Sequence, residues 1–156
     1  MTFKHWASAL AIALLAASPA AGQSTITGND VEEILRIARM HGKARLVEQK
    51  NGNPQITGRM NGLLYQIFFL NCTDGADCED INFYLGFLDI EPTLEVINDW
   101  NYNKRFSRAY IDRDNDACVE MDLDLAVPVS VEYMESTFDL WSLIVTQFAE
   151  HVGYTG

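Results

Sequence analysis

The chain has 156 residues, of which 48% are hydrophobic and 21% charged, a length and composition that suit one domain with a real core and exclude an acidic disordered tail. Eleven Lys and Arg stand against 22 Asp and Glu, a formal net charge of −11, and a field of that sign repels nucleic acid and anionic lipid headgroups. The one cationic cluster along the sequence is Lys104-Arg105 with Arg108, so neither class is an expected partner.

Lys4 and His5 precede an apolar run from Trp6 to Ala17, followed by Ser18-Pro19-Ala20-Ala21-Gly22. A basic start, a short apolar stretch and a small-residue exit form the signature of a secretory signal peptide. A membrane span needs roughly 20 apolar residues, more than this run supplies. Residues 1–22 are expected to be removed after Ala20, Ala21 or Gly22, leaving no membrane anchor and a periplasmic or secreted protein. Residues 23–29 are polar and expected to be a flexible start, and residues 30–156 are expected to form a single domain.

Asp30-Val31-Glu32-Glu33 opens a helix. Asp30 can accept from backbone donors, Glu33 can reach back in a capping box, and early acids suit the positive helix end. Val31, Ile34, Leu35 and Ala38 share one stripe, and Gly42 ends the helix. Strands follow over Ala44 to Glu48 and Gln55 to Met60, and Asn61-Gly62 is a strong two-residue hairpin signal into Leu63 to Asn71. That last run, L-L-Y-Q-I-F-F-L-N, is apolar on both faces, which predicts a central strand covered above and below.

Cys72 and Cys78 flank a turn-rich spacer, and in an oxidising compartment they are expected to form a disulfide. A loop so small contributes roughly 2 kcal/mol in the chain-entropy picture. A redox pair usually has two residues between its cysteines, and a zinc site needs further ligands nearby. Cys118 is left over, as a free thiol or a dimer cross-link.

Ile81 to Phe87 makes a further aromatic strand. Pro92 at a first-turn position starts a helix through Leu94, Ile97 and Trp100. Phe106 to Ile111 and Ala117 to Leu125 are two strands joined by an acidic turn. The second alternates: Ala117, Val119, Met121, Leu123 and Leu125 point one way, and Cys118, Glu120, Asp122 and Asp124 the other, towards water. Pro128 stops strand pairing and Ser130 caps a last helix carrying Met134, Phe138, Trp141, Val145 and Phe148 on its core face. Strands joined by short turns are antiparallel, and the helices that bracket them belong on one face. The expected fold class is α+β, with a single twisted antiparallel sheet of about five to six strands.

The helix with Trp100-Asn101, the Phe106-to-Ile111 strand, the acidic turn, Val119 to Leu125 and the helix with Trp141 and Phe148 resemble the YbjN family of bacterial sensory-transduction regulators. The Asn71-Cys72 to Cys78 loop is similar to that of its exported members. The resemblance covers about Asp30 to Val152. It implies a fold similar to type III secretion chaperones, often paired as a dimer, and it implies no reaction, cofactor or catalytic residue.

Asp112-Arg113-Asp114-Asn115-Asp116 has the alternate acids of a calcium loop, but an EF-hand needs glycine at its sixth position and an acid at its twelfth; Ala117 and Leu123 stand there. A solvated hairpin turn explains the same residues. Glu120, Asp122 and Asp124 read as the polar side of a strand or as a carboxylate cluster for a hydrolase. His41 and His151 end helices, where cationic side chains are favoured by the dipole. Ser130 lacks a Gly-x-Ser-x-Gly setting and no phosphate loop occurs. Trp100-Asn101 admits two readings: a core anchor with a capping amide, or a ligand or partner surface with Arg105 and Arg108. The expected function is an exported, non-enzymatic binding or chaperone-like regulatory module with no cofactor or metal, whose partner is a protein segment or a second copy; a carboxylate-dependent hydrolase and a calcium-dependent binder are the alternatives.

Overall fold

The computed structural model describes residues 24–156, and the expected signal peptide lies outside the described residues. In chain order the elements are β1 (Thr25–Ile26), α1 (Val31–Met40), β2 (Ala44–Glu48), β3 (Pro54–Met60), β4 (Leu63–Leu70), β5 (Asp80–Phe87), α2 (Leu94–Asn103), β6 (Arg108–Ile111), β7 (Ala117–Asp124), β8 (Val129–Ser130) and α3 (Val131–His151). The fold class is α+β, as the sequence predicts: a six-stranded sheet in the order β2-β3-β4-β5-β7-β6, antiparallel throughout, beside a two-stranded pairing of β1 with β8.

Asn61 and Gly62 take φ of 51° and 82°, the left-handed pair that the tight hairpin turn requires. They fold β3 onto β4 with Met60 opposite Leu63 and Gly58 opposite Tyr65. A Cβ on Gly58 would lie 2.6 Å from the Tyr65 ring, so the missing side chain is the space that the aromatic fills. Strand period then decides the faces. Ile56, Met60, Tyr65, Ile67, Phe69, Ile81, Phe83, Leu85, Val119 and Met121 all turn to one side and are buried.

The helices cover that side. α3 contributes Met134, Phe138, Trp141, Val145 and Phe148, each fully buried. Phe138 meets Phe83 edge-on at 5.2 Å, and Trp141 tilts over the same ring at 5.6 Å. Each such side chain is worth about 1.5–3 kcal/mol of burial. Ser130 Oγ accepts from the Tyr133 backbone N–H at 3.1 Å, the expected cap.

Several local expectations are corrected. The start is not free: Thr25 and Ile26 pair with Ser130 and Val129, and Ile26 is fully buried. A single buried isoleucine in a polar stretch outweighs its neighbours. Asp30 stands at the first helix N-cap without a side-chain cap bond; its carboxylate accepts from the Thr27 N–H and hydroxyl instead, and Glu33 is held by Arg36. Pro92 precedes the second helix, whose cap is Thr93 through a 3.3 Å bond from the Val96 N–H. The strand expected from Phe106 starts at Arg108, because Phe106 has φ of 65°, outside strand geometry. β4 is central but covered on one face only, and Leu64 on the other is 49% exposed.

Candidate functional site

The strand parity that builds the core sends a second set of side chains to the helix-free face of the sheet. Register lines them up in rows across the strands. Thr57, Gln66, Tyr84, Glu120 and Arg108 form one row; Gln55, Phe68, Asn82 and Asp122 form the next. Leu64, Phe68 and Leu70 of β4 are the apolar members, exposed or half-buried. Gln55 donates to Gln66 at 2.8 Å, and Phe68 meets Tyr84 edge-on at 6.0 Å.

Towards β7 the face becomes a closed polar network. Glu120, expected to face water, is 9% exposed. Tyr110 donates to its Oε1 at 2.6 Å, and Arg108 Nε donates to its Oε2 at 2.9 Å. The bond to Glu120, then its charge, holds the Arg108 guanidinium above its ordinary pKa. Asn82 Nδ2 donates to Asp122 at 2.7 Å. Alternation alone marks Glu120 as outward; the signal for its burial is the arginine and tyrosine on the neighbouring strand, visible only once register is known.

Cys118 is fully buried on this same face, with its sulfur 3.2 Å from the Tyr84 hydroxyl. Burial pushes the thiol up from its ordinary value, and burial with the Cys118 contact does the same to Tyr84. With no exposed surface, the thiol is out of reach of a cysteine on a second chain. Gly86 leaves the room for this contact, since a Cβ there would sit 2.5 Å from the Tyr84 oxygen.

Trp100, Asn101, Arg105 and Arg108, the surface that the sequence singles out, are not brought together. Trp100 is in the core, 1% exposed, with its edge towards Phe148 at 5.0 Å and its Nε1 donating to Ser107 at 3.2 Å. Asn101 faces the outer edge of β6, where its Nδ2 donates to the Ala109 carbonyl at 3.0 Å and its Oδ1 accepts from the Ala109 N–H at 2.8 Å. The amide thus replaces a neighbouring strand. Arg105 is exposed, and Arg108 is engaged with Glu120 on the sheet face. Cys72 and Cys78 are joined in a disulfide.

In the acidic turn, Asp112 Oδ1 accepts from the N–H groups of Asp114 and Asp116, both at 2.9 Å. Its oxygen is occupied by the backbone of the turn. Among the described residues no three His, Cys, Asp or Glu side chains converge as a metal site would need. His41 stacks on Phe138 at 5.6 Å, and His151 Nε2 lies 2.8 Å from the Val96 carbonyl, tying the end of α3 to α2. On this face both Glu120 oxygens are used and the Cys118 sulfur lies against the Tyr84 hydroxyl. What stays available is apolar surface on β4 and hydrogen-bonding capacity around it.

The family model YbjN, described as "Putative bacterial sensory transduction regulator", matches residues 30–153. Among solved structures the chain is similar to the Yersinia pestis type III secretion chaperone SycH, in a crystal with a stable fragment of YscM2. That likeness has 9% identity, covers 83% of this chain and 100% of that one, and has a TM-score of 0.49. No curated protein matches the sequence.

Proposed function

The chain belongs to the YbjN family, and from that premise we propose that it is a non-enzymatic, chaperone-like binding module that holds a segment of another protein on the helix-free face of its sheet. The observation that carries this is the asymmetry of the sheet. One face is packed by α3 and α1, while on the other Leu64 is 49% exposed and Phe68 and Leu70 are only half-buried. Apolar side chains along a central strand, rimmed by amides and hydroxyls, suit a protein surface. On that face Glu120 and Cys118 are both engaged, and the Asp122 carboxylate accepts from Asn82.

A photo-reactive phenylalanine analogue at Phe68, with Leu143 on α3 as the control position, tests the reading in the native host. Discrete adducts to another protein from position 68 and none from 143 are expected. Adducts from 143 alone, or none from either, remove the reading, and an adduct of twice the protein's own mass makes the occupant a second copy.

Export through residues 1–22 belongs to the same proposal. The disulfide is consistent with an oxidising compartment, and the charge pattern of Lys4 to Gly22 is that of a leader. The intact mass of the protein from the periplasmic fraction is expected to begin after residue 20, 21 or 22; a full-length cytoplasmic protein contradicts it.

A further inference from the structure

The two edges of the six-stranded sheet are finished differently. On β6 the Asn101 amide takes both outward groups of Ala109. On β2 nothing comparable is present among the described residues. The Arg59 N–H donates to the Lys43 carbonyl at 2.8 Å and the Gln49 N–H to the Asn53 carbonyl at 2.9 Å, so Lys43, Arg45, Val47 and Gln49 turn their peptide groups towards β3. The peptide groups of Leu46 and Glu48 therefore point away from the sheet, and of Ala44 only the carbonyl is taken, by Arg39 Nε at 3.2 Å.

Beside this open edge, on the helix-free face, Lys43, Arg45, Arg59 and Leu64 line a shallow depression of about 320 Å³. All three cations are exposed. None has a carboxylate within ion-pair distance among the described residues, whereas Arg36 has two and Arg108 has one. The Arg59 guanidinium donates to the Gly62 carbonyl, at 3.0 Å. In a chain of net charge −11, three uncompensated cations at one strand edge make a local positive field of the opposite sign to the whole.

We propose that β2 receives, by strand addition, an extended acidic segment of the bound protein, an assignment that rests on the sheet being a protein-binding surface. Main-chain bonds to Leu46 and Glu48 supply affinity without sequence preference, and alternate side chains supply specificity. An antiparallel strand there sets the side chains opposite Val47, Arg45 and Lys43 on the helix-free face. Read along the incoming strand, the matching pattern is apolar-x-acid-x-acid. A second copy does not fit this edge, because β2 paired with itself would place each set of cations beside the same set on its partner.

Fluorescence anisotropy on the mature protein tests the assignment, with a labelled peptide Thr-Val-Thr-Glu-Thr-Glu-Thr, its lysine-for-glutamate counterpart, and the acidic peptide N-methylated at alternate residues. The acidic peptide is expected to bind about tenfold or more tighter than the lysine one, and N-methylation to abolish binding. Arg45→Glu with Arg59→Glu, both exposed sites whose fold is checked by circular dichroism, reverses the preference. Equal affinity for the acidic and lysine peptides, undiminished binding of the N-methylated one, or no saturation at about 1 mM overturns the assignment. A position-68 photo-adduct that survives Arg45→Glu with Arg59→Glu also overturns it while leaving the broader reading intact; loss of that adduct in the wild type removes the broader reading first.

Discussion

Replacing Asn101 by Ala strips the outer edge of β6. The substitution removes two bonds, of 3.0 and 2.8 Å, and leaves the N–H and C=O of Ala109 without a protein partner. Each such bond is worth about 1 kcal/mol net, and an orphaned buried group costs about 1–3 kcal/mol. Ala109 is 5% exposed, but Asn101 lies at the surface, so water replaces part of the loss and the sum comes to about 2 kcal/mol. A domain of roughly 130 residues unfolds with about 0.27 kcal/mol/K of entropy at its midpoint. The expected fall in Tm is therefore about 7 °C. Thermal unfolding followed by Trp fluorescence measures the fall, and urea unfolding the free energy, because Trp100 and Trp141 are buried. Asn101→Asp keeps an acceptor for the Ala109 N–H and loses the donor, so it falls about halfway between. A loss under about 0.5 kcal/mol for Ala, or equal losses for Asp and Ala, would refute the edge-sealing role.

Other outcomes follow from the same geometry. Iodoacetamide leaves Cys118 unmodified in the native protein and modifies it in urea; labelling of the native thiol contradicts its burial. The raised Cys118 thiol makes the folded state hold its proton more tightly than the unfolded chain. That contribution is complete below about pH 8.5 and is lost as pH rises through the folded value, so from pH 7 to 10 stability declines more steeply in the wild type than in Cys118→Ala. Gly58→Val drives a side chain into the Tyr65 ring and costs about 2–3 kcal/mol by chemical denaturation; an unchanged midpoint removes that account of the glycine. Cys72→Ser with Cys78→Ser lowers stability by about 2 kcal/mol, and reductant reproduces the loss in the wild type and adds nothing in the variant.

The parts of the fold legible in sequence are those set by local chemistry. Asn61-Gly62 fixes one hairpin, Ser130 caps α3, and the four-three spacing from Met134 to Phe148 defines its buried face. The illegible parts depend on what lies opposite. Ile26 is buried because β8 returns beside it, and Glu120 because Arg108 and Tyr110 occupy the adjoining strand. Trp100-Asn101 is conspicuous in the sequence, yet its two residues serve the core and the β6 edge, and Arg105 and Arg108 do not join them. The candidate surface instead draws on Leu64 and Phe68, which read as core in an apolar strand. Lys43 and Arg45 share one side of β2 by strand period, and Arg59 joins them only through the β2–β3 register.

The binding role of the sheet is tested most directly by amide NMR shifts on titration with the segment that the position-68 adduct identifies. Shifts concentrated on β2, β3, β4 and β5 are expected, with the exposed turns of α3 unmoved. Shifts concentrated on α1 and α3, with the sheet strands silent, would contradict it.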